Sequence, residues 1–165
     1  MVPKGWCRVK LNFMTKYIAI VWLAILAGCM PSLQEPGVKL AWQNDLPEAR
    51  SQAQAENKVL LLNFTGSDWC PWCVKLSKEI FNTPEFAAFA ETNLVLVELD
   101  FPRRKSISRE QEQANRDLAK RFDIQGFPTV VLLDGQDREL GRLGYQRGGP
   151  KAFIAAVEKL RARDR

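Results

Sequence analysis

The sequence contains no histidine, and its four cysteines are Cys7, Cys29, Cys70 and Cys73. A closed structural zinc site takes four ligands, usually cysteine or histidine. Cys7 and Cys29 lie in an N-terminal leader, so the rest of the chain offers two such ligands. A zinc site is therefore excluded unless two chains share the ion, and we expect no metal.

Acidic residues are absent from residues 1–28, which contain Lys4, Arg8, Lys10 and Lys16. These four account for most of the net charge of +5, and the remainder carries 20 basic against 19 acidic residues. A nucleic-acid-binding domain needs a concentrated basic surface, so this balance argues against a nucleic-acid partner. The 165 residues, 46% hydrophobic and 26% charged, are typical of one globular domain.

Residues 14–30 read MTKYIAIVWLAILAGCM, the pattern of a secretory signal: a lysine, an apolar run and small residues. The apolar run is shorter than the roughly 20 residues of a membrane-spanning helix. Its end, LAGC, resembles the lipobox of bacterial lipoproteins, which implies that Cys29 is acylated and becomes the first mature residue. The alternative is an uncleaved signal anchor in which Cys29 has no role.

We therefore expect a signal peptide over residues 1–28, a tether over 29–39 that begins at the lipidated Cys29, and a folded domain over 40–165. Met14 is a better candidate than Met1 for the first translated residue, because it leads directly into the apolar run. These features predict an extracytoplasmic protein attached to a bacterial membrane by lipid. Met30, where an aspartate would retain a lipoprotein in the inner membrane of enteric-type bacteria, favours the outer membrane.

The domain alternates between helical and strand periodicity. The predicted order is helix, strand, helix, helix, strand, helix, strand, strand, helix. Helices are predicted over 46–58, 70–81, 84–90, 108–122 and 150–163, and strands over 59–64, 94–99, 129–133 and 139–143. Capping residues support two of these helices, since Thr83 precedes a proline and Ser108 begins a capping box with Gln111. The last two strands flank an Asp-Gly turn and should form a hairpin.

The segment SDWCPWC over residues 67–73 places two cysteines three residues apart, after a buried strand and a loop. They could be a redox pair or two small core residues. At a helix start, unpaired backbone N–H groups and the helix dipole favour a thiolate, and the cysteine pKa falls from about 8.5 to about 3.5–7.5. Cys73, one turn further on, should be less exposed and close enough to resolve a mixed disulfide. This position favours redox chemistry.

The WCPWC segment, together with Gly126-Phe127-Pro128-Thr129 before the next strand, resembles the thioredoxin superfamily, in particular exported thioredoxin-like proteins. The resemblance covers residues 40–163. It implies an α/β thioredoxin-like fold, with a central mixed β-sheet flanked by helices. It also implies that Cys70 attacks a substrate disulfide and Cys73 resolves it, with no cofactor beyond the cysteine pair.

The same resemblance implies a cis peptide bond before Pro128 and a substrate chain that pairs with the backbone of Phe127 as an added strand. Trp69, Trp72, Phe127 and Pro128 are the expected substrate-binding residues. Of the two tryptophans, one should pack and the other, Trp72, should contact substrate. We expect the neighbouring Asp68 to oppose thiolate formation modestly.

Two features depart from the family pattern. The buried acid of thioredoxins falls on Asn63, which cannot ionise, and the partner lysine falls on Glu98. We hypothesise that Glu98 transfers the proton of Cys73, although Glu98 could equally lie at a rim or pair with a lysine. The segment 101–113 is longer than in thioredoxins. Its Arg-Arg-Lys run could touch anionic lipid or an acidic partner, but a solvated loop is the simpler interpretation.

The dipeptide between the cysteines, Pro71-Trp72, lacks the histidine with which strongly oxidising members of the superfamily stabilise their thiolate. This favours a protein disulfide reductase, with a membrane reductase of the DsbD kind as electron donor. An oxidase, an isomerase or a cytochrome c maturation thioredoxin is the alternative. A redox-inert scaffold that binds protein at the face of Trp72 and Pro128 is a further one.

Overall fold

The computed structural model describes residues 38–162, so the predicted leader, Cys29 and most of the tether lie outside the described residues. The strands are β1 (Trp42–Gln43), β2 (Val59–Thr65), β3 (Leu94–Asp100), β4 (Thr129–Leu133) and β5 (Glu139–Leu143). The helices are α1 (Leu46–Glu56), α2 (Pro71–Leu76) with a π-helical turn (Ser77–Phe81), α3 (Pro84–Asn93), α4 (Arg109–Arg121) and α5 (Gly149–Ala162). Within these residues, no helix combines the length and apolar character that crossing a membrane requires.

The five strands form one mixed sheet in the order β1-β3-β2-β4-β5. Strands β1, β2 and β3 run parallel, whereas β4 is antiparallel to β2 and forms the predicted hairpin with β5. The mixed sheet flanked by helices confirms the predicted thioredoxin-like fold. Strand β1 was not predicted, because two residues are too few to show an alternating pattern.

Helices cover both faces of the sheet, which explains why the central strands are apolar without alternation. On β2, Leu60, Leu62 and Phe64 belong to the core on the side of α1 and α4, whereas Leu61 belongs to the core on the side of α2, α3 and α5. All four are fully buried. Each such side chain contributes about 1.5–3 kcal/mol relative to exposure, so β2 is a rigid support for the loop that follows it.

Side-chain caps set the helix starts near the predicted positions. Thr83 Oγ1 accepts the N–H of Phe86, and Ser108 Oγ accepts that of Gln111 at 3.1 Å. The Gln111 side-chain amide donates to Asn44 O and to Asn115 Oδ1, one turn further along the helix. Gln111 therefore ties the start of α4 to the segment that follows β1.

The strand order determines where the site lies. Because β2 and β4 are antiparallel and Phe64 pairs with Thr129, the end of β2 is adjacent to the start of β4. The loop that leads from β2 to Cys70 therefore meets the residues that precede Thr129. The two segments that resemble the thioredoxin motifs are more than 50 residues apart in sequence, and this pairing joins them.

Candidate active site

Cys70 and Cys73 form a disulfide at the start of α2. The predicted helix start is one residue early, since Cys70 is the N-cap in extended conformation and Pro71 is the first helical residue. The Cys70 Sγ accepts the backbone N–H of Cys73 at 3.2 Å. The helix N-terminus therefore presents its unpaired donors to this sulfur, as the sequence indicates.

The two sulfurs differ mainly in their surroundings. Cys70 is 4% exposed and Cys73 is 3% exposed, so Cys73 is the less exposed of the two, as predicted, by a small margin, and both cysteines are buried in the disulfide form. The Cys70 Sγ lies 3.7 Å from Phe127 O. The Cys73 Sγ accepts the N–H of Gly66 at 3.5 Å and borders a cavity beneath the loop.

The peptide bond between Phe127 and Pro128 is cis, as the resemblance predicts. Phe127 is held by two aromatic neighbours, since its ring centroid lies 6.0 Å from that of Trp69 and 5.0 Å from that of Phe101. Pro128 lines the same hollow as Trp72. All four residues predicted to bind substrate therefore lie around the cysteine pair.

The Trp69 side chain is held by contacts with the segment after β3 and with Gly66. Its indole N–H donates to Phe101 O at 2.7 Å, and the Arg103 guanidinium stacks over its ring with the Cζ atom 3.7 Å from the centroid. On its other side, a Cβ atom placed on Gly66 would come within 2.5 Å of the indole, which explains the glycine at that position. Of the two tryptophans, Trp69 is therefore the one that packs.

Asp68 anchors the segment after β3. Its carboxylate accepts the backbone N–H groups of Arg103, Arg104 and Lys105 at 2.7–3.2 Å. These bonds, led by that from Arg103, lower the pKa of Asp68 to about 2 against the desolvation that opposes them. Asp68 thus holds the backbone of the Arg-Arg-Lys run, while the three side chains are exposed to solvent, in agreement with the predicted solvated loop.

Trp72 is 55% exposed and contacts residues that the sequence analysis missed. Its ring centroid lies 5.4 Å from that of Tyr145, and the Lys75 ammonium lies 5.6 Å from the Trp72 centroid and 5.1 Å from that of Tyr145. Arg147 lines the hollow beside them. One feature of the sequence could have identified Tyr145 as a site residue. It is one of two tyrosines in the chain, and it lies in a loop between a predicted strand and a predicted helix.

Glu98 lies across the sheet from Asn63, its partner in the β2–β3 register. It borders a cavity of about 200 Å³ that also contains Cys73 and Asn63, whose buried Oδ1 has no hydrogen-bond partner. Burial raises the pKa of Glu98 above its ordinary value, and the charge of Asp100 adds to this effect while Lys105 opposes it. Glu98 therefore lies on the resolving cysteine's side of the sheet, half-buried and within reach of the Lys105 charge.

Asp100 is held by its neighbours. Its carboxylate accepts the N–H and hydroxyl of Ser67 at 2.9 and 2.7 Å, and it pairs with the Lys105 ammonium at 2.7 Å. Within residues 38–162, acidic and cysteine side chains form no group of three that could bind a metal. The chemistry that this arrangement supports is thiol–disulfide exchange at Cys70 and Cys73.

Known proteins are similar to this chain in sequence and in fold. Residues 46–161 match the family model of the thioredoxin-like domain. The disulfide bond reductase DsbH of Chlamydia pneumoniae is 37% identical over 119 residues, which cover 72% of this chain and 71% of that protein. The thioredoxin-related protein DsbJ of the same species is 30% identical over 138 residues, which cover 78% of this chain but 40% of DsbJ.

The solved structure of a DsbH oxidoreductase superposes with a TM-score of 0.71 at 33% identity, and the match covers 83% of this chain and 96% of that one. The family model spans most of the described residues and includes both cysteines and the cis-proline loop. The chain therefore belongs to the thioredoxin-like family and is a thiol–disulfide oxidoreductase.

Proposed function

We propose that the protein is a disulfide reductase in which Cys70 is the nucleophile and Cys73 the resolving cysteine. One observation carries this assignment: the Cys70 Sγ accepts a helix N-terminal N–H and lies 3.7 Å from Phe127 O, beside the cis Pro128. In the reduced protein, the same N–H favours the thiolate of Cys70. The Cys73 sulfur instead accepts the N–H of Gly66, in the loop before Cys70.

The reaction proceeds in two exchanges. The Cys70 thiolate attacks one sulfur of a substrate disulfide, forms a mixed disulfide and expels the other substrate sulfur as a thiolate. The Cys73 thiol, once deprotonated, attacks the Cys70 sulfur and expels the second substrate thiolate. The substrate gains two electrons and two protons, and the protein is left as the Cys70–Cys73 disulfide. The backbone of Phe127 holds the substrate chain as an added strand during both steps.

The direction of the reaction is inferred from two features. The Pro71-Trp72 dipeptide offers no histidine to stabilise the thiolate, and the similar DsbH protein is called a disulfide bond reductase. Outside the cytoplasm such a reductase needs an electron donor that reduces the Cys70–Cys73 disulfide again. A membrane reductase of the DsbD kind meets this need.

The reduction potential of the cysteine pair tests the direction. The domain would be equilibrated with glutathione buffers and followed by tryptophan fluorescence, with Cys73→Ser as the variant that cannot cycle. A potential near −270 mV is expected for a reductase, whereas a value between about −120 and −180 mV would indicate an oxidase or isomerase. The absence of a reversible transition would support a redox-inert scaffold instead.

We also propose that Glu98 accepts the proton of Cys73 during the second exchange. Three features support this: Glu98 and Cys73 border one cavity, Asn63 cannot ionise, and burial raises the pKa of Glu98 above its ordinary value. A cavity of about 200 Å³ has room for water between the two groups. An acid with a raised pKa is a better proton acceptor near neutral pH than an ordinary glutamate.

The Glu98→Gln variant tests this role. In wild type, release of the mixed disulfide should slow as the pH falls below the raised pKa of Glu98. The variant should be slow at all pH values, by at least about 100-fold. Because burial disfavours the carboxylate, the same substitution should raise stability at neutral pH, where wild type keeps an ionised Glu98 in the fold. The hypothesis fails if the variant keeps the wild-type rate and pH profile.

The location is a separate proposal. The LAGC sequence that ends at Cys29 supports cleavage before this residue and attachment of acyl chains, which hold a protein at a membrane when more than one is present. Mass spectrometry of the mature N-terminus from a bacterial host would detect the diacylglyceryl cysteine. A Cys29→Ser variant should leave the membrane fraction, and its retention there would indicate an uncleaved anchor.

A further inference from the structure

A hollow of about 360 Å³ lies beside the cysteine pair, lined by Trp72, Pro128, Tyr145 and Arg147. Three of these residues are aromatic or apolar, so the hollow suits an apolar side chain of a bound substrate. The walls are held in place before a substrate arrives. The Tyr145 hydroxyl donates to Glu79 at 2.7 Å, and the Trp72 and Tyr145 rings are in contact. A rigid wall reduces the entropy cost of binding.

The acidic and basic side chains around this hollow differ in whether they already have partners. Glu79, the acid nearest to Tyr145, is shared between the tyrosine hydroxyl and the Lys75 ammonium at 3.8 Å. Arg147 is exposed and has no ion-pair or hydrogen-bond partner in the described part of the chain. The hollow therefore combines an apolar floor with an uncompensated guanidinium at its rim. A guanidinium binds a carboxylate through two parallel hydrogen bonds, which makes it a selective partner for acidic groups.

We propose that this hollow selects protein substrates whose reactive cysteine is flanked by an apolar residue and an acidic residue. The apolar side chain packs on Trp72, Tyr145 and Pro128, and the carboxylate pairs with Arg147. Lys75 lies over both rings, but its charge is paired with that of Glu79, so the charge that selects the acidic residue is that of Arg147. The inference rests on the proposed function, because it names the substrate class of the same site.

Disulfide-linked peptide dimers test the selection. Each peptide contains a cysteine flanked by leucine on one side and by glutamate, glutamine or lysine on the other, and both orders of the flanking residues are made. Stopped-flow tryptophan fluorescence of the reduced protein gives the second-order rate constant for each peptide. Charge-reversed Arg147→Glu is compared with Lys159→Glu, an exposed lysine in the last turn of α5 that changes the net charge equally.

With wild type, we expect the glutamate peptide to react about threefold to fivefold faster than the glutamine peptide, and the lysine peptide to be the slowest. This order should reverse in Arg147→Glu and persist in Lys159→Glu. The preference should also shrink when the salt concentration is raised to about 0.5 M, because exposed charges are screened. When leucine in the peptide is replaced by serine, the rate constant of the wild-type protein should fall more than that of the Trp72→Ala variant.

Different failures have different meanings. If all peptides react but glutamate and glutamine peptides react alike, or if their order survives Arg147→Glu, the selection is wrong and the proposed reductase stands. If the order also reverses in Lys159→Glu, the effect comes from net charge and not from this hollow, and the inference is again wrong. If no peptide is reduced at all, the proposed function itself fails, and the inference fails with it.

Discussion

Trp69 and Trp72 flank Cys70 almost symmetrically in sequence, yet they belong to two different regions of the molecule. The Trp69 side is a network of fixed contacts, with an indole hydrogen bond to Phe101 and a stacked Arg103. The Trp72 side is an open surface whose tryptophan is 55% exposed. The side of Trp69 is thus packed into the protein, whereas the side of Trp72 is exposed and can contact a substrate.

The difference comes from the backbone positions of the two residues. Trp69 precedes the helix, in a loop where Gly66 leaves room for its ring, so its side chain turns towards the segment after β3. Trp72 is the second residue of α2 and projects from the helix towards solvent and Tyr145. Two identical side chains three residues apart therefore differ in role because the chain changes from loop to helix between them.

The largest effect should come from removing each tryptophan in turn. Trp69→Ala should lower the free energy of unfolding by about 2–3 kcal/mol, below the value for a fully buried aromatic because Trp69 is half-buried. Trp72→Ala should change it by less than about 0.5 kcal/mol and should instead slow the reduction of peptide disulfides. Urea unfolding of both oxidised variants measures the first effect. Equal losses of stability would contradict the comparison.

A smaller effect is expected at Asp68, which fixes the loop beside Trp69. The pKa of Asp68 is lowered to about 2 from 3.8, so its contribution to stability is present above about pH 4 and is lost as the pH falls towards 2. Asp68→Asn should lower the melting temperature above pH 4 and should flatten this acid transition. It should also speed hydrogen exchange at the amides of Arg103, Arg104 and Lys105.

Asp117→Asn is the matched control for Asp68, because Asp117 lies on α4 and accepts a hydrogen bond from the exposed Gln113 side chain. It should leave the exchange of the three loop amides unchanged. If Asp68→Asn also left them unchanged, the loop would be held by Trp69 and Asp100 without help from Asp68.

The smallest effect should be seen at two neighbouring arginines. Arg103 stacks on Trp69, and its replacement by alanine should cost about 0.5–1 kcal/mol, the usual range for an exposed cation–π contact. Arg104→Ala removes the same charge without such a contact and should be nearly neutral. A thermal melt of both variants gives the comparison, and in the Trp69→Ala background the cost of Arg103→Ala should vanish.

Much of the fold could be predicted because its signals are local. The apolar runs of β2 and β3, the cap at Thr83 and the Asp-Gly hairpin turn each depend on a few consecutive residues. The cis peptide bond before Pro128 was predicted in another way, from resemblance to a family, since a lone X–Pro bond favours trans. The short strand β1 and the hydrogen bonds from the loop after β3 to Asp68 carry no local pattern and were missed.

The candidate site was predicted only in part, because some of its contacts are local in sequence and others are not. Cys70 and Cys73 lie in one motif, but the contact of Trp72 with Tyr145 joins residues 73 positions apart. Asn63 and Glu98 were recognised as departures from the family, and the β2–β3 register places them opposite each other. The near-complete burial of Cys70 in the disulfide form was not foreseen, because no local sequence pattern reports it.

By itself, the sequence determined the order of helices and strands, the pair of cysteines at a helix start and the concentration of the net charge in residues 1–28. The tertiary structure alone decided which tryptophan is packed into the protein, where the carboxylate of Asp68 is bound and that Arg147 lies beside Trp72. The physical reason is sequence distance: periodicity and capping act over a few residues, whereas these contacts exist because parallel pairing of β2 with β3 and antiparallel pairing of β4 with β2 and β5 bring distant loops together.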